Sequence, residues 1–179
     1  MDYPWFELIE NSSEITQGDI LRSCPVPILK EVNFDDNATN VDAEVVYVDG
    51  IILTQACDIA NNKVESIIVC AVTSRGDFNK TLKEAGKGDK EINNQLTGII
   101  KGQQHAYHII NSYTSDVFSQ DYFIVNFKEI YSVPVDVART IAKQNGKRLR
   151  LCPPYREHLS QAFARYFMRV GLPINIVLD

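Results

Sequence analysis

The segment Gly50-Ile51-Ile52-Leu53-Thr54-Gln55-Ala56-Cys57-Asp58-Ile59 constrains the fold more than any other part of the chain. A short apolar run stops abruptly at a polar cluster that holds a thiol and a carboxylate. Apolar runs of this kind lie buried in a sheet, so the core anchors whatever follows their end. The reading is a strand over 51–54 and then a loop at an accessible rim, with Thr54, Gln55, Cys57 and Asp58 as candidate binding residues.

The surrounding pattern is one of many short strands and a few helices. Residues 1–15 read as an amphipathic lead-in pinned by Trp5, Phe6, Leu8 and Ile9, and Gln17-Gly18-Asp19-Ile20-Leu21 opens a strand. Pro25 and Pro27 make that strand an edge or end it early. The polar stretch 33–42 predicts a mobile loop. A strand over 44–48 then meets Asp49-Gly50, a hairpin turn signal. Val64–Val72 is rich in β-branched residues and reads as strand, 76–103 as one or two short surface helices, and His105–Ile110 and Tyr122–Phe127 as further strands. Asp136–Lys143 predicts a helical turn or two, and Asn145-Gly146 a tight turn before a strand at 148–151. After Pro153-Pro154, the residues Leu159, Ala162, Phe163, Tyr166, Phe167 and Val170 recur at helical period. Gly171 and Pro173 follow as stop signals.

The 179 residues therefore predict a single α+β domain. Its expected centre is a strongly bent, barrel-like antiparallel sheet over about 17–152, with short surface helices and a C-terminal amphipathic helix over 154–170.

Charge narrows the function. The formal net charge is −5, whereas proteins that hold nucleic acid by its phosphates carry a basic face. The first residues show no basic n-region and no apolar h-region, and no segment has the roughly 18 consecutive apolar residues of a membrane span. A cytoplasmic chain without membrane association is expected, with its four scattered cysteines reduced.

Several segments resemble the PemK/MazF-like toxins, which are small SH3-like barrels. Gln17-Gly18-Asp19-Ile20-Leu21 is similar to the opening Gly-Asp strand of that family. Ile51-Ile52-Leu53-Thr54, the turn Asn61-Asn62-Lys63, and Ile67-Ile68-Val69-Cys70-Ala71-Val72-Thr73-Ser74 are similar to its following core strands. Phe123-Ile124-Val125-Asn126-Phe127-Lys128-Glu129-Ile130 is similar to a later one. The segment Pro153–Phe163 resembles one found in uncharacterised bacterial proteins together with a Thr-Gln-Ala-Cys-Asp-like motif. The resemblance implies an SH3-like barrel and a place in a bacterial toxin–antitoxin-like or phage-defence system. It also implies endoribonuclease ancestry, in which Thr73 and Ser74 assist cleavage of a phosphate ester. Where the family has an Arg-Pro pair, this chain has Asp49-Gly50, and a carboxylate there repels a scissile phosphate. Two readings follow: a non-catalytic interaction or regulatory module with a protein partner or a second copy, and a ribonuclease-like hydrolase acting on RNA.

Three clusters carry candidate chemistry. Cys57 is a ligating or nucleophilic thiol beside Asp58, or a small buried thiol behind the strand with Asp58 accepting backbone N–H bonds. His105 and His108 lie on a strand, where side chains three apart point to opposite faces, so one at most points inward and His105 is a candidate binding residue. A metal built from Cys57, Asp58 and a histidine has no spacing signature to support it, and no metal or other cofactor is assigned. Arg165 and Arg169 lie at i, i+4 on the last helix, near His158 and Gln161. They form a docking face for phosphate or an acidic partner, or a solvated face complementing the helix dipole.

Overall fold

The computed structural model describes residues 3–35, 38–116 and 119–168. Nine strands and five helices follow one another among them. The strands are β1 (Phe6–Glu10), β2 (Ile20–Asp35), β3 (Ala38–Ile52), β4 (Ser66–Ser74), β5 (Tyr107–Ile110), β6 (Tyr113–Thr114), β7 (Ser119–Gln120), β8 (Phe123–Pro134) and β9 (Lys147–Leu151). The helices are α1 (Ala56–Ala60), α2 (Arg75–Glu84), α3 (Asp89–Ile100), α4 (Val135–Asn145) and α5 (Tyr155–Phe167). The central sheet is antiparallel, five strands in the order β2-β3-β4-β8-β5, and β1-β9 and β6-β7 form two-stranded sheets. Among the described residues these ladders do not close into a barrel.

Two apolar layers cover the sheet. On one side Phe6, Phe123, Phe127, Leu149, Leu151 and Leu159 join β1, β8, β9 and α5. On the other, Cys24, Val26, Ile52, Ile67 and Val69 meet the stripe Val135, Ala138, Ile141 and Ala142 of α4.

The junction between the two-stranded β1-β9 sheet and the central sheet is polar and fully buried. Asp19 and Arg148 are 0% and 2% exposed. Asp19 Oδ2 accepts from Arg148 Nε at 3.0 Å, and Oδ1 accepts from Arg150 Nε at 2.5 Å. Arg148 also donates to the backbone oxygens of Ser12 (2.7 Å), Ala142 (3.5 Å) and Glu14. Buried charges are tolerated when paired and saturated with hydrogen bonds in this way. Gly18, just before, has φ of +87°, and a Cβ there would stand 3.0 Å from the Leu151 oxygen. The backbones of β9 and residue 18 can therefore touch, with Leu151 N–H donating to the Gly18 oxygen at 2.9 Å.

Three expectations need correction. The lead-in contains a strand, β1, because its apolar residues pair with β9. The stretch 33–42 is not a loop on either side of 36–37: the β2–β3 ladder carries through Asn33↔Asn40 and Asp35↔Ala38, and pairing overrides the turn propensity of Asn and Asp. Asp49-Gly50 is no hairpin turn either. β3 runs straight through it, with Gly50 opposite both Leu21 and Ala71. What Gly50 supplies is the missing side chain, since a Cβ there would lie 2.2 Å from Val69 Cγ1. Asp49 Oδ1 accepts from Ser23 N at 2.8 Å and holds the bulge between Leu21 and Cys24. Of the two alternatives for Pro25 and Pro27, the first holds: β2 is an edge strand, and it continues past them to Asp35.

Removing the buried carboxylate strands two guanidinium groups. Asp19→Ala is expected to lower the unfolding free energy by about 3–5 kcal/mol, read from urea denaturation. A loss under about 1 kcal/mol would show that the pair is not the junction's anchor.

Candidate functional site

The polar cluster after the apolar run is a helical turn, which corrects the expected loop. Thr54 Oγ1 accepts from Ile68 N at 2.7 Å and extends the β3–β4 contact by one residue. The chain then winds into α1, where Ile59 is buried while Cys57 is exposed. Asn61 Nδ2 caps the turn by donating to the Cys57 oxygen at 2.7 Å. Tertiary anchoring through Ile59, rather than propensity, makes five residues helical. The reading of Cys57 as a buried packing thiol is therefore also corrected. Its sulfur contacts two acceptors, Gln55 Oε1 at 3.6 Å and Asp58 Oδ1 at 3.7 Å. Such partners engage an S–H donor and supply no cation to stabilise a thiolate. Asp58 faces Lys63 Nζ at 3.9 Å.

Beside α1 lies an open cleft of about 820 Å³ whose other wall is α5, with Thr54, Gln55, Cys57 and Asp58 facing Ser160 and Gln161. Two motifs a hundred residues apart in sequence thus share one cleft. Gln17 fixes their spacing, since its Nε2 donates to the Leu53 oxygen at 3.0 Å and to Ser160 Oγ at 2.9 Å.

The opposite flank of α5 borders a second cleft, of about 430 Å³, closed by the end of α3 and by β5. His105, His108 and His158 all line it, and so does Arg165. His105 sits in the exposed turn before β5, while His108 is on the strand, half-buried, its ring stacked 6.4 Å from that of Phe127. Burial pushes the His108 imidazole down to about 4, and the neighbouring His158 and Arg165 push the same way. The two histidines of the β5 segment do reach one cleft despite the alternation of a strand, because His105 precedes the strand and is not bound by it. Arg169 lies outside the described residues.

Thr73 and Ser74 lie elsewhere, at the end of β4. Ser74 is the N-cap of α2: its Oγ accepts from Asp77 N at 3.0 Å and donates to Asp77 Oδ2 at 2.6 Å. Arg75 pairs with Asp121 at 3.3 Å and stacks over the Tyr122 ring. Thr73 opens onto clefts that also contain Asp49, Asp77 and Glu129. Arg22 lines one of these clefts beside the carboxylates, and the basic groups of α5 line a different cleft.

Two of the remaining three thiols are packing groups. Cys24 and Cys70 are buried, and burial pushes both up to about 12. All four cysteines are free. Among the described residues no group of three or more His, Cys, Asp or Glu side chains is placed to hold a metal ion, and no helix is long and apolar enough to cross a membrane. Sequence reasoning missed the meeting of His108 with His158, and no sequence signal announces it: the packing of Phe127 against both the His108 ring and Phe163 exists only in the fold.

No protein-family model matches the chain, and no curated protein matches it either.

Two outcomes follow from this geometry. Cys57→Ala should change the unfolding free energy by less than about 0.5 kcal/mol, while Ile59→Ala should cost about 2–4 kcal/mol; the reverse order would reassign the thiol to the core. For His108, the folded imidazole stays neutral while the unfolded chain takes up a proton below about pH 6.5. Its contribution is therefore complete above that pH and is lost as pH falls toward 4. The loss is up to about 3 kcal/mol, less whatever water at the cleft mouth screens. His108→Gln should remove this part of the pH slope in denaturation series from pH 7 to 4.5, and an unchanged slope would contradict the assignment.

Proposed function

We propose that the chain is a non-catalytic interaction module, a PemK/MazF-like barrel that serves as a component of a bacterial defence or toxin-like system. One observation carries this reading. Beyond Gly50–Ile52, where β3 pairs with β4, strands β2 and β3 continue as a two-stranded arm. On its outer face the cross-strand pairs Pro25↔Tyr47, Pro27↔Val45 and Leu29↔Ala43 follow one another. Leu29, Val45 and Tyr47 are 64%, 56% and 70% exposed. The inner-facing residues Cys24 and Val26 are meanwhile fully buried, so the arm is apolar on both faces. Contiguous exposed apolar surface of this kind marks a protein interface.

The occupant we assign is a basic strand of a partner protein. The β3 border of the arm has no ladder partner over 38–49 among the described residues, whereas prolines interrupt the β2 border. The segment 38–49 holds Asp42, Glu44 and Asp49 and no Lys or Arg. A second copy laid antiparallel along it would set carboxylates against carboxylates, and a cationic strand would not.

The SH3-like barrel belongs to the same reading. It is supported by the bridge Asp19↔Arg150, which joins β9 to the chain entering β2, and by the edge-to-face contact of Phe6 with Phe123 at 6.3 Å, which brings β1 round to β8. The commitment of the Ser74 hydroxyl to a helix cap, with the pairing of Arg75, supports binding over RNA hydrolysis.

The purified protein should leave a mixed RNA pool intact without added metal, and Val45→Lys/Tyr47→Lys should abolish pull-down of the partner while leaving the far-ultraviolet circular dichroism unchanged. RNA cleavage that disappears in Thr73→Ala/Ser74→Ala would favour the hydrolase instead.

A further inference from the structure

We propose that the cleft between α5 and the α3–β5 corner is a binding site for a nucleoside monophosphate. The site is independent of the β2–β3 arm and of any partner docked there.

Charge is the first argument. The chain has 23 acidic residues and a net charge of −5, yet no Asp or Glu lines this cleft. All three histidines of the chain do. Arg165 has no carboxylate partner among the described residues; its side chain donates to Gln161 Oε1 at a long 3.4 Å. Elsewhere the arginines Arg75, Arg139, Arg148, Arg150 and Arg156 are each paired with a carboxylate. An acidic protein that gathers imidazole N–H donors and a guanidinium without a carboxylate partner in one concavity has built a local anion site.

Shape and polarity identify the anion. His158 and Arg165 lie seven residues apart on α5, two turns along one face, and both lie near enough to His108 in the same cleft to act on its charge. That spacing suits a phosphate held by the guanidinium and imidazole N–H groups. One turn toward the start of α5, Tyr155 stacks on Trp5 with ring centroids 3.6 Å apart and planes 10° from parallel. This rigid pair borders the cleft, with Tyr155 set edge-on to His158 at 6.3 Å. It offers a flat wall to a base, and base–aromatic stacking contributes on the order of 1–3 kcal/mol. Ile99, Ile100 and Ile109 close the remaining apolar side, and Gln104 and Gln161 supply amides that can read the base edge. The volume of about 430 Å³ lies within the roughly 300–1,000 Å³ of small-ligand clefts and is large enough for one nucleotide.

The test is isothermal titration of the full chain at pH 7 and low salt with AMP, GMP, CMP and UMP in turn. Ribose 5-phosphate, adenosine, inorganic phosphate and a short single-stranded RNA serve as comparison ligands, and the histidine ring resonances are followed by NMR. At least one mononucleotide should bind about tenfold or more tightly than inorganic phosphate and than adenosine, shifting the His108 and His158 resonances. Arg165→Gln should weaken it about tenfold. Ile100→Glu, at a position 66% exposed and so harmless to folding, should abolish it by placing a carboxylate at the mouth. Inorganic phosphate binding as well as every nucleotide would overturn the proposal, as would RNA binding that ignores both variants. So would the absence of any heat and resonance shift at millimolar ligand.

Discussion

The fold depends on one carboxylate. Asp19 is fully buried, and it reaches Arg148 with one oxygen and Arg150 with both. Through Arg148 it also organises the backbone of Ser12, Glu14 and the end of α4. At this point the β1-β9 sheet, the chain entering β2 and α4 meet. Such an arrangement contributes little net stability against an apolar substitute, but losing one member is severe. It therefore acts as a register pin: β9 can meet the chain before β2 only where both guanidinium groups face the one carboxylate. Once β9 is fixed, α5 must start at Tyr155, and the walls of both clefts are set.

Helix α5 is consequently shared. Its Ser160 edge faces the α1 turn, its His158 and Arg165 edge faces β5, and Gln161 borders both clefts. Leu159 and Phe163 hold it on the core between them, Phe163 against Phe127 at 5.5 Å. The two flanks differ in chemistry. One presents hydroxyl, amide, thiol and carboxylate groups, and the other imidazoles, a guanidinium and aromatic rings without a carboxylate.

Local sequence rules worked where local physics dominates. The β-branched run of β4, the amphipathic pattern of α5, the helices of 76–103 and the turn at Asn145-Gly146 were all legible, since each follows from propensity and period. Reading failed where distant partners decide. Gly50 carries a turn dipeptide, but the reason for glycine is the Val69 methyl on the next strand, which no local window contains. Residues 33–35 and 38–42 look like loop until β2 and β3 are paired. The Thr54–Asp58 segment is legible as a candidate site but not as a helix, because Ile59 finds its core partners only in three dimensions. The convergence of His105, His108 and His158 was likewise invisible, as nothing in their spacing reveals which flank of α5 meets β5.

The prolines of β2 bear on how large an assembly can grow. Pro25 and Pro27 remove two N–H donors from the outer border of the arm, while the β3 border keeps its own. A chain that adds a strand on one border thus finds no matching template on the other. Under the proposed strand addition, growth would stop after a single step, which favours discrete complexes over fibres.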